Sequence, residues 1–148
     1  MVRAEARRVL HERAIAGKLE KGAAAALREI LDKNREPITM LRAMWALHSI
    51  GEFSGADASV AIRSEVETLQ ANAISLALDN PAVDNDTLKQ IQGLANSKSA
   101  IVRRVLAGES HRLPEESRIE VLDRLTEKPA DPDTVLMIWS AFGPVISD

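Results

Sequence analysis

Leu41-Arg42-Ala43-Met44-Trp45-Ala46-Leu47-His48 lies inside an unbroken helix-forming stretch from Ile38 to Ile50. Pro37 stands at its start, where the missing N–H costs nothing, and Gly51 at its end, where a left-handed residue stops a helix. The opening of this stretch recurs. Val2-Arg3-Ala4-Glu5-Ala6, Leu69-Gln70-Ala71-Asn72-Ala73 and Val102-Arg103-Arg104-Val105-Leu106 begin other helix-forming stretches in the same way. Their second residues, Arg3, Arg42, Gln70 and Arg103, are 39, 28 and 33 positions apart. A loose repeat of roughly 30 to 45 residues made only of helix signals predicts a helical solenoid. Such folds offer a surface for holding something rather than a pocket for chemistry.

Toward the N-terminus, residues 2–16 read as a helix with Ala6, Val9, Leu10, Ala14 and Ile15 on one face, stopped by Gly17. Residues 19–33 read as a second, with Ala23, Leu27, Ile30 and Leu31 inward. Toward the C-terminus, residues 56–63 read as a short, weak helix, either separate from or continuous with one at about 64–79, which Asn80-Pro81 ends. Asp84 or Asp86 caps a helix at 86–95 with Leu88, Ile91 and Leu94 buried, and Ser99 caps one at 100–112. Pro114-Glu115-Glu116 starts a helix that runs to about Glu127, burying Ile119, Val121, Leu122 and Leu125. Asp131-Pro132-Asp133 starts the last, ending near Ile146. No stretch alternates with period two between hairpin turns, so no sheet is expected. Short connections between eight or nine helices predict antiparallel hairpins that stack.

A chain of 148 residues is long enough for one domain with a real core. Apolar residues make up 45% but aromatics only 3%, so the core is built from Ala, Leu, Ile and Val, which suits close helix packing. There is no cysteine, which excludes disulfides, thiolate metal sites and covalent haem attachment within these residues. No apolar run approaches the length of a membrane span, and residues 2–16 are helix-forming rather than an apolar signal segment. The formal charge of −3 is unevenly spread. Residues 1–50 carry ten Lys/Arg against six Asp/Glu, and residues 51–148 nine against sixteen. The basic first third raises the alternative of nucleic-acid binding, with Arg7, Arg8 and Lys18 as contacts; interleaved charges and scarce aromatics argue against it.

No constellation points to catalysis. His11, His48 and His111 fall on different repeats without ligand spacing, so no metal or cofactor is expected. Glu115-Glu116 are adjacent on a helix and diverge, and the positive helix end accounts for them. Trp45 and Trp139 are expected in the core, where Trp→Ala costs roughly 3–5 kcal/mol. The recurring arginine is expected to pair with an acid or loop carbonyl of a neighbouring repeat. Arg42, Arg103 and Arg104 are the candidates for a partner contact.

Residues 41–48 resemble a typical "LRALWALH" helix in the HEAT-repeat segment of large exported bacterial proteins of the dehydrogenase and c-type cytochrome (haem-binding) kind. The likeness continues through residues 69–79, 102–114 (ending His111-Arg112-Leu113-Pro114) and 131–145 (Asp131-Pro132, Ile138-Trp139), and so covers most of residues 2–145. In that family a sugar-dehydrogenase-like propeller precedes the repeats and a haem domain with a Cys-x-x-Cys-His motif follows. Neither is present here, so the resemblance places the catalytic chemistry elsewhere. Leu69-Gln70 stands where the family has Val-Arg, and Asn72 where it has Trp; the segment around 54–64 is short and polar, which puts its packing in question. The resemblance implies an all-α, HEAT-like α-α superhelix (solenoid) of about four hairpins. It also implies a non-catalytic scaffold, a spacer that contacts protein partners or neighbouring domains of a longer parent chain, and a periplasmic or exported location.

Overall fold

The computed structural model describes residues 22–34, 36–127 and 132–146. The helix expected at 2–16, with Gly17, lies outside them. The described residues form eight α-helices and no strand: α1 (Ala23–Lys33), α2 (Pro37–Ser49), α3 (Gly55–Ile62), α4 (Glu67–Leu78), α5 (Asn85–Gly93), α6 (Ala100–Glu109), α7 (Glu115–Glu127) and α8 (Pro132–Ile146). Short 3-10 turns at Leu94–Asn96 and Ser110–Arg112 extend α5 and α6.

Local chemistry fixes the helix ends. At the start of α2 the Glu36 carboxylate accepts backbone N–H groups from Ile38 (3.1 Å) and Thr39 (2.7 Å), with Pro37 in the first turn. At its end Gly51 takes φ 74, its N–H donates to His48 and that of Glu52 to Leu47, the paired bonds of a Schellman stop. Ser54 and Asp57 form a capping box at α3. Asp84, rather than Asp86, caps α5 by accepting the Thr87 N–H at 2.8 Å, and Ser99 caps α6. Of the two readings of 56–79, separate helices or one continuous helix, the structure has the separate pair. Ser64 Oγ accepts the Val66 N–H in the break, and α4 begins only at Glu67.

The helices alternate between two rows. α2, α4, α6 and α8 touch in succession, as do α1, α3, α5 and α7, and the rows are pressed together through α1–α2, α3–α4, α6–α7 and α7–α8. Helix α4 lies between α2 and α6 and rests on α3. It buries Leu69, Ala71, Ala73, Ile74, Leu76, Ala77 and Leu78, residues on all sides, as an interior helix must. Helix α3, whose packing the sequence left in question, is likewise buried at Asp57, Ala58, Ser59, Ala61 and Ile62. Its small residues let α1, α4 and α5 approach closely. Gly55, in its first turn, rests against the Asp84 carboxylate and the Thr87 hydroxyl, and a Cβ there would collide with both.

Side chains stitch each row together. Arg28 Nε donates to Asp57 Oδ1 at 3.2 Å between α1 and α3, and Trp45 Nε1 to Asn72 Oδ1 at 3.1 Å between α2 and α4. His48 Nε2 lies 2.9 Å from Asp79 Oδ2, and Arg112 Nη1 donates to the other Asp79 oxygen at 3.3 Å, joining the ends of α2, α4 and α6. Ser99 Oγ donates to Glu67 at the starts of α6 and α4, and Gln92 to Glu120 between α5 and α7. These ties span 27 to 33 residues, matching the 28 and 33 residues that separate Arg42, Gln70 and Arg103.

The burial expected of several apolar residues is corrected. Trp139 is 68% exposed, because α8 buries the line of Thr134 and Ile138 and Trp139 lies well round the helix from it. Ile30 and Ile119 are also exposed, since α1 buries Leu31 and α7 buries Val121, Leu122 and Leu125. Trp45 packs against the core but is only half-buried, with its indole N–H turned to Asn72. Leu88 and Leu94 are partly buried against the same core.

Candidate docking face

The recurring second residue of each helix opening has a structural task. Gln70 Nε2 donates to the carbonyl of Ser64 at 2.7 Å and of Ile62 at 3.0 Å. Arg103 Nη1 donates to the carbonyl of Ser97 at 2.5 Å. Ser64 and Ser97 each stand six residues earlier, in the loop leading into the same helix, and Ile62 ends the helix before it. Arg42 is exposed, and six residues before it stands Glu36, on which its charge acts. The expected pairing with a neighbouring repeat is corrected: for Gln70 and Arg103 the acceptor lies in the helix's own entry loop, because that loop passes within reach of the first turn. Arg104 is exposed on α6. Helix α4 separates Arg42 from Arg103 and Arg104, so the three arginines do not converge on one site. Arg7, Arg8 and Lys18 lie outside the described residues. Arg28, Lys33, Arg112 and Arg124 each face a carboxylate.

Two carboxyls are held below the usual carboxylate range. For Glu36 the largest cause is the Thr39 hydroxyl, reinforced by the backbone N–H groups it caps. For Asp84 it is the Thr87 N–H, then the Thr87 hydroxyl. Hydrogen bonds to the charged form produce both shifts, and both belong to helix caps. Asp84 also borders an open cleft of about 460 Å³ with Gly55, Ser59, Arg63, Asp86 and Gln90. Beside it, Phe53, Gly55, Leu76 and Asn80 line a cavity of about 30 Å³, room for about one water. Among the described residues no group of three or more His, Asp or Glu is placed to hold a metal ion. None of their helices is long and apolar enough to cross a membrane.

The outstanding surface feature is on α8. Leu136 and Trp139 are each 68% exposed, flanked by Val135 and Met137. At 100° per residue, Leu136 lies opposite the buried line of Thr134 and Ile138, so this face points away from the body. Met137 rests near Gly108 of α6 and marks the edge of the intramolecular contact. Helix α7, packed beside α8, exposes Glu115, Glu116, Glu120, Asp123 and Glu127, and α8 itself exposes Asp133. The result is a face of exposed apolar side chains on α8, next to a helix several of whose exposed side chains are acidic. Sequence reasoning placed Trp139 inside because α8 is apolar nearly all round, which leaves periodicity without a face to select. Comparison of the chain with family models, with curated proteins and with solved structures finds no match.

Proposed function

We propose that this chain is a HEAT-like α-solenoid of about four helical hairpins that serves as a non-catalytic scaffold for protein–protein or interdomain contact. Three observations support the architecture: the two alternating rows, the ties 27 to 33 residues apart, and the entry-loop bond repeated by Gln70 and Arg103. The observation that carries the function is the α8 face. Large apolar side chains exposed side by side on one helix face mark interaction sites, and repeat stacks bind through such helix faces. The likeness of residues 41–48 to the repeats of exported oxidoreductases supports a spacer role, tested by reading the parent frame for a propeller and a Cys-x-x-Cys-His motif.

A photo-crosslinking residue at position 136 or 139, introduced in the cell, tests the docking role. Crosslinks are expected at these positions and not at exposed Lys98 on a polar turn. Equal yields at all three would overturn the reading.

A further inference from the structure

We propose that the cleft between α3 and α5 binds a short zwitterionic peptide, about three residues long and extended. This site lies on α3 and α5 and does not depend on the α8 face. The cleft is open and about 460 Å³ in volume, within the range of small-ligand sites. Two polar groups on its walls have no partner among the described residues. Ser59 is only 8% exposed, and its hydroxyl makes no hydrogen bond. Gln90 turns its side-chain oxygen inward, where it meets no donor. Buried polar groups are nearly always bonded, so both call for a partner from outside the fold. Charges of both signs line the same cleft. Asp84 is committed to the α5 cap, accepting the Thr87 N–H and the Thr87 hydroxyl, each at 2.8 Å. The Asp86 carboxylate and the Arg63 guanidinium are exposed, and neither has a hydrogen bond or ion pair among the described residues. One such surface charge is ordinary. Opposite charges that line one cleft without meeting suit a ligand that carries both.

The placement of these groups sets the ligand's length and direction. Gly55 rests against the Asp84 and Thr87 side chains, so α3 and α5 begin side by side, and Asp86 lies at that end. Arg63 follows the last turn of α3, about 12 Å along the helix axis from Gly55. A peptide of three residues spans about 10 Å when extended. Its ammonium pairs with Asp86, and its carboxylate with the planar fork of Arg63. Ser59 stands four residues from both Gly55 and Arg63, opposite the middle of the ligand. Its hydroxyl donates to a peptide carbonyl. Gln90, turned into the cleft, accepts a peptide N–H and so gains the donor that its oxygen lacks inside the fold.

Titration of the full chain with trialanine, followed by amide chemical shifts, tests this. Saturable shifts are expected at Ser59, Arg63, Asp86 and Gln90, with a Kd below about 10 mM. Acetylating the peptide's N-terminus or amidating its C-terminus removes one charge. Each should weaken binding at least about tenfold, the share of a hydrogen bond to a charged group. Arg63→Gln should weaken binding of trialanine by a similar factor and leave binding of the amidated peptide unchanged. Asp86→Asn should do the same for trialanine and spare the acetylated peptide. Both side chains are exposed, and unchanged circular dichroism spectra check that the variants fold. No shifts up to about 10 mM trialanine would overturn the proposal, as would blocked peptides that bind as tightly as the free one. Sensitivity to only one of the two blocking groups would also overturn it, since the site would then take a simple anion or cation.

Discussion

Asp57 shows how one charge organises a neighbourhood. It is only 5% exposed, and its carboxylate accepts the Ser54 N–H (2.9 Å), the Ser54 hydroxyl (2.7 Å) and Arg28 Nε. Removing the arginine strands a buried anion with its cap donors only. Arg28→Ala should therefore cost about 1–3 kcal/mol, below the full penalty of a broken buried pair because Ser54 still serves the carboxylate. Urea unfolding checks this, with Glu29→Ala as a control. Its pair with Lys33 spans one exposed helical turn, so a loss of under about 0.5 kcal/mol is expected. Gly55→Ala should cost about 1–3 kcal/mol, since the added methyl must displace the Asp84 cap. Trp139→Ala should cost under about 0.5 kcal/mol, the value for surface sites, against the 3–5 kcal/mol a core position predicts. A thermal shift of Trp139→Ala as large as that of Leu122→Ala would contradict the exposed placement.

At the scale of the element, caps were the most readable signals. Pro37, Gly51 and Ser99 each stand where the sequence placed them, because their roles depend on local backbone geometry alone. The break at Arg63–Glu65 was left open by the sequence, since helix propensity runs through it; Ser64, whose Oγ accepts the Val66 N–H there, is the local signal. Burial of α3 was missed for another reason: Ala58, Ser59 and Ala61 are small, and their value lies in how closely neighbours approach. The caps also predict a pH response. Glu36 and Asp84 have folded pKa values below the ordinary carboxylate range, so their stabilisation is present above that range and is lost as pH falls through the lowered folded values. The melting temperature should fall on acidification. Asp84→Asn keeps a good cap that does not titrate, so its melting temperature should fall less between neutral and acid pH. Parallel pH curves for the two proteins would contradict an ionised cap.

For the whole molecule, the order of contacts matters more than any one of them. Among the described helices each touches its row neighbours and the facing row, and α4 is enclosed by α2, α3 and α6, whereas α8 meets one row neighbour, α6. In a stack held by nearest-neighbour interfaces, local opening starts at the least enclosed end and ceases toward the middle. Native-state hydrogen exchange should therefore find the slowest amides in α4, around Leu69 to Ala77, and faster exchange in α8. A closed bundle sharing one cooperative core would instead open globally, with similar limits in every helix. Leu69→Ala, at a fully buried position in α4, sharpens the comparison. Its loss of about 2–5 kcal/mol should lower protection across α2, α4 and α6 together. Leu136→Asp, at the exposed end, should leave α4 protection unchanged. If Leu136→Asp lowered protection in α4 as much as Leu69→Ala does, the nearest-neighbour account of this fold would fail.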